Sequence, residues 1–131
     1  MKILISFLLL FYGCQRNQIA TKSVEGNNTI SNIKWDVKTI DFGNVSQDTI
    51  IKGCFNLYNQ DTLPLLIYYV NPECNCTDFS VSSYLINPQD SSQIVLHLNT
   101  EGKHGYQRII TTVCTNSRQR FFKLTLKGYI D

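Results

Sequence analysis

Ile51-Lys52-Gly53-Cys54-Phe55-Asn56-Leu57 places Ile51, Gly53, Phe55 and Leu57 on one side of an extended chain and Lys52, Cys54 and Asn56 on the other. A repeat of two with one apolar side is the signature of a half-buried β-strand. The same alternation returns twice. Ile94, Leu96 and Leu98 alternate with Val95 and His97, and Phe122, Leu124 and Leu126 alternate with Lys123 and Thr125. No window offers an equally convincing helical stripe.

Turn-forming clusters separate these runs: Asn59-Gln60-Asp61, Asn71-Pro72, Asn87-Pro88-Gln89-Asp90, Gly102 to Gly105, and Asn116-Ser117. The strands predicted between them cover 37–43, 50–58, 64–70, 79–84, 92–99, 106–114 and 119–130. Seven short antiparallel strands at this spacing predict an all-β sandwich. Lys123 and Lys127, on the polar side of the last strand, read as protection of an exposed sheet edge.

Composition agrees with one small domain. Of the 131 residues 43% are hydrophobic and 17% charged, enough apolar material for a core, and the formal net charge is +2. Lysines and arginines are scattered along the chain, so nothing steers it toward nucleic acid.

The N-terminus carries an address. Met1 and Lys2 precede an apolar stretch from Ile3 to Tyr12, and Gly13 stands immediately before Cys14. A basic start, a short hydrophobic region and a small residue at the cleavage point make a secretory leader over 1–13. The stretch is too short to span a bilayer as a helix, which takes about 20 apolar residues. The following cysteine is similar to a bacterial lipoprotein signal, in which the thiol is acylated, with palmitate among the acyl groups, and becomes the new N-terminus. Residues 14–34 then read as a polar tether anchored to a membrane by its lipid, and 35–131 as the folded domain. The implied location is the bacterial cell envelope, periplasm-facing or at the cell surface. A plain secreted form is the alternative, because Phe11 and Tyr12 depart from the usual residues before a lipidated cysteine.

Setting Cys14 aside leaves Cys54, Cys74, Cys76 and Cys114, an even number in a compartment that permits disulfides. Cys54 and Cys114 fall on the predicted second and sixth strands, where an intersheet bridge could form, yet Cys54 is out of phase with the core residues around it. Cys74 and Cys76 are the sharpest candidates for chemistry. Two thiols one residue apart in a loop suit redox exchange or a soft metal such as Cu(I) or Zn, and His104 and Cys114 are the further ligands available in principle. A structural bridge is the competing reading, although a bond within Cys-x-Cys closes too small a loop to gain much.

Asp41-Phe42-Gly43, then Phe55, Leu57, Asn59, Pro64-Leu65, Ile67 and Val70, then Cys74-Asn75-Cys76-Thr77, Asn87-Pro88, Gly102, Gly105, Val113, Asn116 and Leu124-Thr125-Leu126 before Gly128 form an ordered series. That series resembles the bacterial exported domain-of-unknown-function family fifteen-seventy-three, related to the immunoglobulin-like ASH modules. The resemblance covers about residues 36–131 and implies an immunoglobulin-like β-sandwich and an exported life, with no reaction. Members typically carry Cys-Gly-Cys-Thr; here Asn75 replaces the glycine, and asparagine tolerates a left-handed backbone if the turn needs one. Antibody-type marks are missing: Trp35 precedes the first predicted strand, and Thr112 stands two residues before Cys114.

His97 and His104 have no Ser or Asp arrangement that reads as a nucleophile with its base. Asp36, Asp41, Asp48 and Asp61 fall near strand ends and turns, where aspartate bends and caps backbone. Tyr58, Tyr68, Tyr69, Phe79, Phe121 and Tyr129 are candidate partner anchors or cross-strand packing, with Tyr68 and Tyr69 expected to send one ring to each face of their strand. No cofactor is implied. The expected function is a non-enzymatic binding or structural module, held to the membrane through its N-terminal lipid and engaging a protein or envelope partner. A metal-binding or thiol-redox protein using Cys74 and Cys76 is the alternative.

Overall fold

Residues 29–131 are described by a computed structural model of the chain. The leader and Cys14 read from the sequence, and the predicted tether up to residue 28, lie outside the described residues. Nine strands follow in order: β1 (Ile33–Trp35), β2 (Thr39–Val45), β3 (Ile50–Asn59), β4 (Leu65–Pro72), β5 (Thr77–Val81), β6 (Leu85–Ile86), β7 (Ser91–Asn99), β8 (Gly105–Thr115) and β9 (Phe121–Ile130). No described helix is long and apolar enough to cross a membrane.

The strands form two sheets, one in the order β1-β3-β7-β5 and the other in the order β2-β9-β8-β4-β6. The period-two runs explain the packing between them. Phe55, Leu57, Ile94, Leu96 and Leu98 point inward from the first sheet and meet Leu65, Ile67, Val113, Leu124 and Leu126 from the second, all buried. Burying each such side chain is worth about 1.5–3 kcal/mol, so this seam fixes the fold.

Three expectations change. The domain starts before residue 35: Ile30 is 2% exposed and bridges Ser117, and Ile33–Trp35 pairs with Leu57–Asn59 as strand β1. Trp35 thus lies within a strand, and its ring packs in a tilted contact on Phe122, centroids 5.6 Å apart. The pairing is not wholly antiparallel, because β2 runs parallel to β9. That parallel strand also makes β9 an interior strand, between β2 and β8. Lys127 therefore guards no edge, whereas Lys123 lies ahead of Thr125, where the pairing with β2 begins.

A β-bulge shapes β4. Ile67 pairs with Thr115 but Tyr69 pairs with Cys114, so one extra residue is inserted at Tyr68. A bulge re-aims side chains. Here Tyr68 and Tyr69 are both about half exposed, where regular alternation would have buried one ring.

Candidate functional site

The loop between β4 and β5 carries Glu73-Cys74-Asn75-Cys76 from one sheet to the other. Both ends are fastened. The Glu73 N–H donates to the Ile110 carbonyl at 3.0 Å, and the Ile110 N–H donates back to Glu73 Oε1 at 2.9 Å. On the other side the Asn99 N–H donates to the Cys76 carbonyl at 2.9 Å. Between these anchors the Thr77 N–H reaches the Cys74 carbonyl at 3.1 Å, closing a tight turn.

That turn brings the Cys74 and Cys76 Cα atoms to 5.1 Å and their sulfurs together as a close pair. The Cα separation lies inside the range of about 4.4–6.8 Å that a disulfide requires. Both side chains are half-buried and pack against the core, while the Cys76 N–H approaches Cys74 Sγ at 3.1 Å. Asn75 needs no left-handed backbone, since the only described non-glycine residues with positive φ are Asp48 and Gln89. The short separation argued against this pairing in the sequence, and the turn is what permits it.

Cys54 and Cys114 are both free thiols in this structure, with no bridge between the sheets through them. Cys54 pairs across from Val95 on the outer side of the first sheet, with Phe55 directed inward. Cys114 sits on the outer side of the second sheet, with Val113 directed inward. The two thiols face away from each other across a sandwich about 10 Å thick. Cys114 is nonetheless only 3% exposed, because it is paired on either side with Tyr69 and Phe121.

The histidines do not join the cysteine pair. His104 lies against Gln47, its Nε2 3.0 Å from the amide nitrogen, and His97 pairs across from Lys52 and Asp78. Among the described residues no group of three or more His, Cys, Asp or Glu side chains gathers as a metal site would require.

Two aspartates hold backbone. Asp61 Oδ2 accepts from the Ser31 and Asn32 N–H groups at 3.0 and 3.1 Å, and Oδ1 accepts from Thr62 N–H at 2.7 Å. These donors hold the Asp61 carboxyl below the usual carboxylate range. Asp36 accepts from the Asn56 N–H at 2.9 Å and from its side-chain amide at 2.8 Å. Partial burial raises the Asp36 pKa, but the donors from Asn56 and Val37 together outweigh it and the net shift is downward.

The aromatic candidates divide by face. Tyr68, Tyr69, Phe121 and Tyr129 are exposed on the outer side of the second sheet, joined there by Tyr106, the most exposed of all at 63%. Arg120 lies over the Tyr68 ring at 5.7 Å, within cation–π range. Tyr58 and Phe79 belong to the first sheet. Neither Tyr106 nor the Arg120–Tyr68 contact was singled out in the sequence, although Tyr106 shares the outward phase of its strand with Arg108.

No curated protein matches the chain. Among solved structures it is similar to a protein of unknown function from Porphyromonas gingivalis W83, with TM-score 0.65 and 14% identity over 74% of this chain. The chain spans 46% of that protein's length. It is also similar to the ASH/PapD-like domain 7 of human CEP192, with TM-score 0.60 and 12% identity, covering 79% of this chain and 87% of that one. The secreted serine protease VesC from Vibrio cholerae contains a similar unit, with TM-score 0.58 and 7% identity, covering 75% of this chain and 23% of that one. At these identities the likeness establishes the immunoglobulin-like fold alone. The sequence profile of one family matches residues 33–130, and the chain accordingly belongs to the family described as protein of unknown function, DUF1573.

Proposed function

We propose that the chain is a lipid-anchored module of the bacterial cell envelope that acts by binding, without catalysing a reaction. The observation that carries this reading is a leader-like segment over 1–13 followed directly by Cys14, in a chain whose described residues form a sandwich that includes buried Ile30. Such a domain meets its partners with its exposed sheet faces and loops, and acylated Cys14 supplies the membrane attachment. The Cys74–Cys76 pair then acts as a staple on the loop between the sheets.

The close contact of those two sulfurs also favours a second reading, a thiol-redox or metal-binding role for the same pair. Disulfide mapping of the native protein by mass spectrometry, with metal analysis, separates the two. The first reading expects Cys74 linked to Cys76, Cys54 and Cys114 free, and no stoichiometric metal. Free thiols at 74 and 76 with bound copper or zinc would establish the second reading instead.

A further inference from the structure

The fold sorts charges that look scattered in the sequence. From Gly102 to Ile130 there are six cations (Lys103, Arg108, Arg118, Arg120, Lys123 and Lys127) and no Asp or Glu. From Thr29 to Glu101 three lysines stand against eight acidic residues. The cationic stretch is the β8–β9 hairpin, the middle of the five-stranded sheet.

Within the hairpin, alternation brings the outward residues into rows. Tyr106 pairs with Tyr129, Arg108 with Lys127, Thr112 with Lys123, and Cys114 with Phe121. Along β9 the aromatic rings of Phe121 and Tyr129 therefore bracket Lys123 and Lys127. At about 3.4 Å per residue this is a strip about 27 Å long. Protection of an edge does not account for Lys127, because β2 pairs with β9 from Thr125 to Ile130. Asp41 is the acidic residue paired beside Lys127, and its Oδ1 is occupied by the Gly43 N–H at 2.8 Å.

We propose that this outer face of β8 and β9 binds an acidic polysaccharide, through Arg108, Lys123 and Lys127 and the rings of Tyr106, Phe121 and Tyr129. The proposal deepens the binding-module reading and rests on it for the exported setting. Charge complementarity calls for an anionic occupant. Exposed rings along the strip give sugar rings a surface to stack on. Beside the cations lie Thr112 and Asn71, which offer hydroxyl and amide partners to sugar hydroxyls. A bilayer surface would satisfy the same rings and cations, and the vesicle arm of the test separates it. Single-stranded nucleic acid would satisfy the same cations and rings, but an envelope protein does not meet it as a resident ligand.

The test is affinity electrophoresis of the full chain in detergent, through gels containing polygalacturonate, heparin, neutral dextran or oligothymidylate, with flotation on phosphatidylglycerol vesicles alongside. Polygalacturonate or heparin is expected to retard the protein, dextran is not, and the retardation should fall as salt rises. The Lys123→Gln/Lys127→Gln variant is expected to bind about tenfold more weakly at low salt, as loss of two polymer contacts implies. Tyr106→Ala/Tyr129→Ala should weaken binding with little change in salt dependence. Lys34→Gln/Lys52→Gln, on the other sheet, should bind as the wild type does. The proposal is overturned if neither acidic glycan retards the chain, if all variants bind alike, or if oligothymidylate or the vesicles are bound more tightly. No glycan binding by the wild type, with that protein in the membrane fraction, would overturn this face alone. A cytoplasmic protein would overturn the envelope reading beneath it.

Discussion

Asp61 stands at the surface, yet three backbone N–H groups converge on it, and Asp36 holds Asn56 in the same manner. Both folded-state pKa values lie below the ordinary value of 3.8. A carboxyl whose pKa is depressed by folding contributes stability that is present above its unfolded pKa and lost as pH falls through the folded one. The hold on the chain around Ile30–Asp36 is therefore expected to loosen below pH 3.8. Thermal melts from neutral to acid pH should be shallower below that point for Asp36→Asn/Asp61→Asn than for the wild type; identical slopes would contradict the assignment. A second residue-scale prediction concerns close approach. A Cβ at Gly128 would collide with the Phe42 ring and the Gly43 carbonyl oxygen, whereas one at Gly53 meets chiefly a Leu126 methyl. Rings and backbone yield less than a side-chain tip. Gly128→Ala should cost about 1–3 kcal/mol in urea unfolding, and Gly53→Ala should cost less. Equal costs would show that β2 is free to shift away from β9.

At the scale of elements, β1 has three residues but closes one end of the sandwich. Its Trp35 ring packs on Phe122, and Ile30 ahead of it is buried. Trp35→Ala is expected to cost about 2–3 kcal/mol, below the figure for a fully buried aromatic because the ring is half-buried. A change under about 0.5 kcal/mol would mean that β1 is an ornament on a domain beginning at β2. The longer strands were legible because their alternation is complete: β3, β7 and β9 each bury every second residue. Ile33-Lys34-Trp35 is too short to establish a period, and polar residues flank it. The parallel pairing of β2 has no local signal, since direction is set by where the chain crosses between sheets. The bulge at Tyr68 is hidden for a related reason. Period two assumes an unbroken ladder, and the extra residue is visible only against the partner strand.

For the molecule as a whole, the sequence disclosed a two-sheet sandwich because every long apolar run had one face. The candidate site was less legible. Cys74 and Cys76 stood out by spacing, but their mutual pairing depends on the Thr77–Cys74 turn. The basic face depends on the strand order that sets β8 beside β9 and covers β9 with β2. Both are properties of neighbours in space. The proposed N-terminal address, by contrast, is read from local sequence alone, and the proposed envelope role depends on it. Fractionation of cells expressing the full chain or its Cys14→Ser variant tests that role most directly. The account predicts the wild type in the membrane fraction and the variant released in soluble form. Wild-type protein in the cytoplasm, or a variant that remains with the membrane as the wild type does, would contradict it.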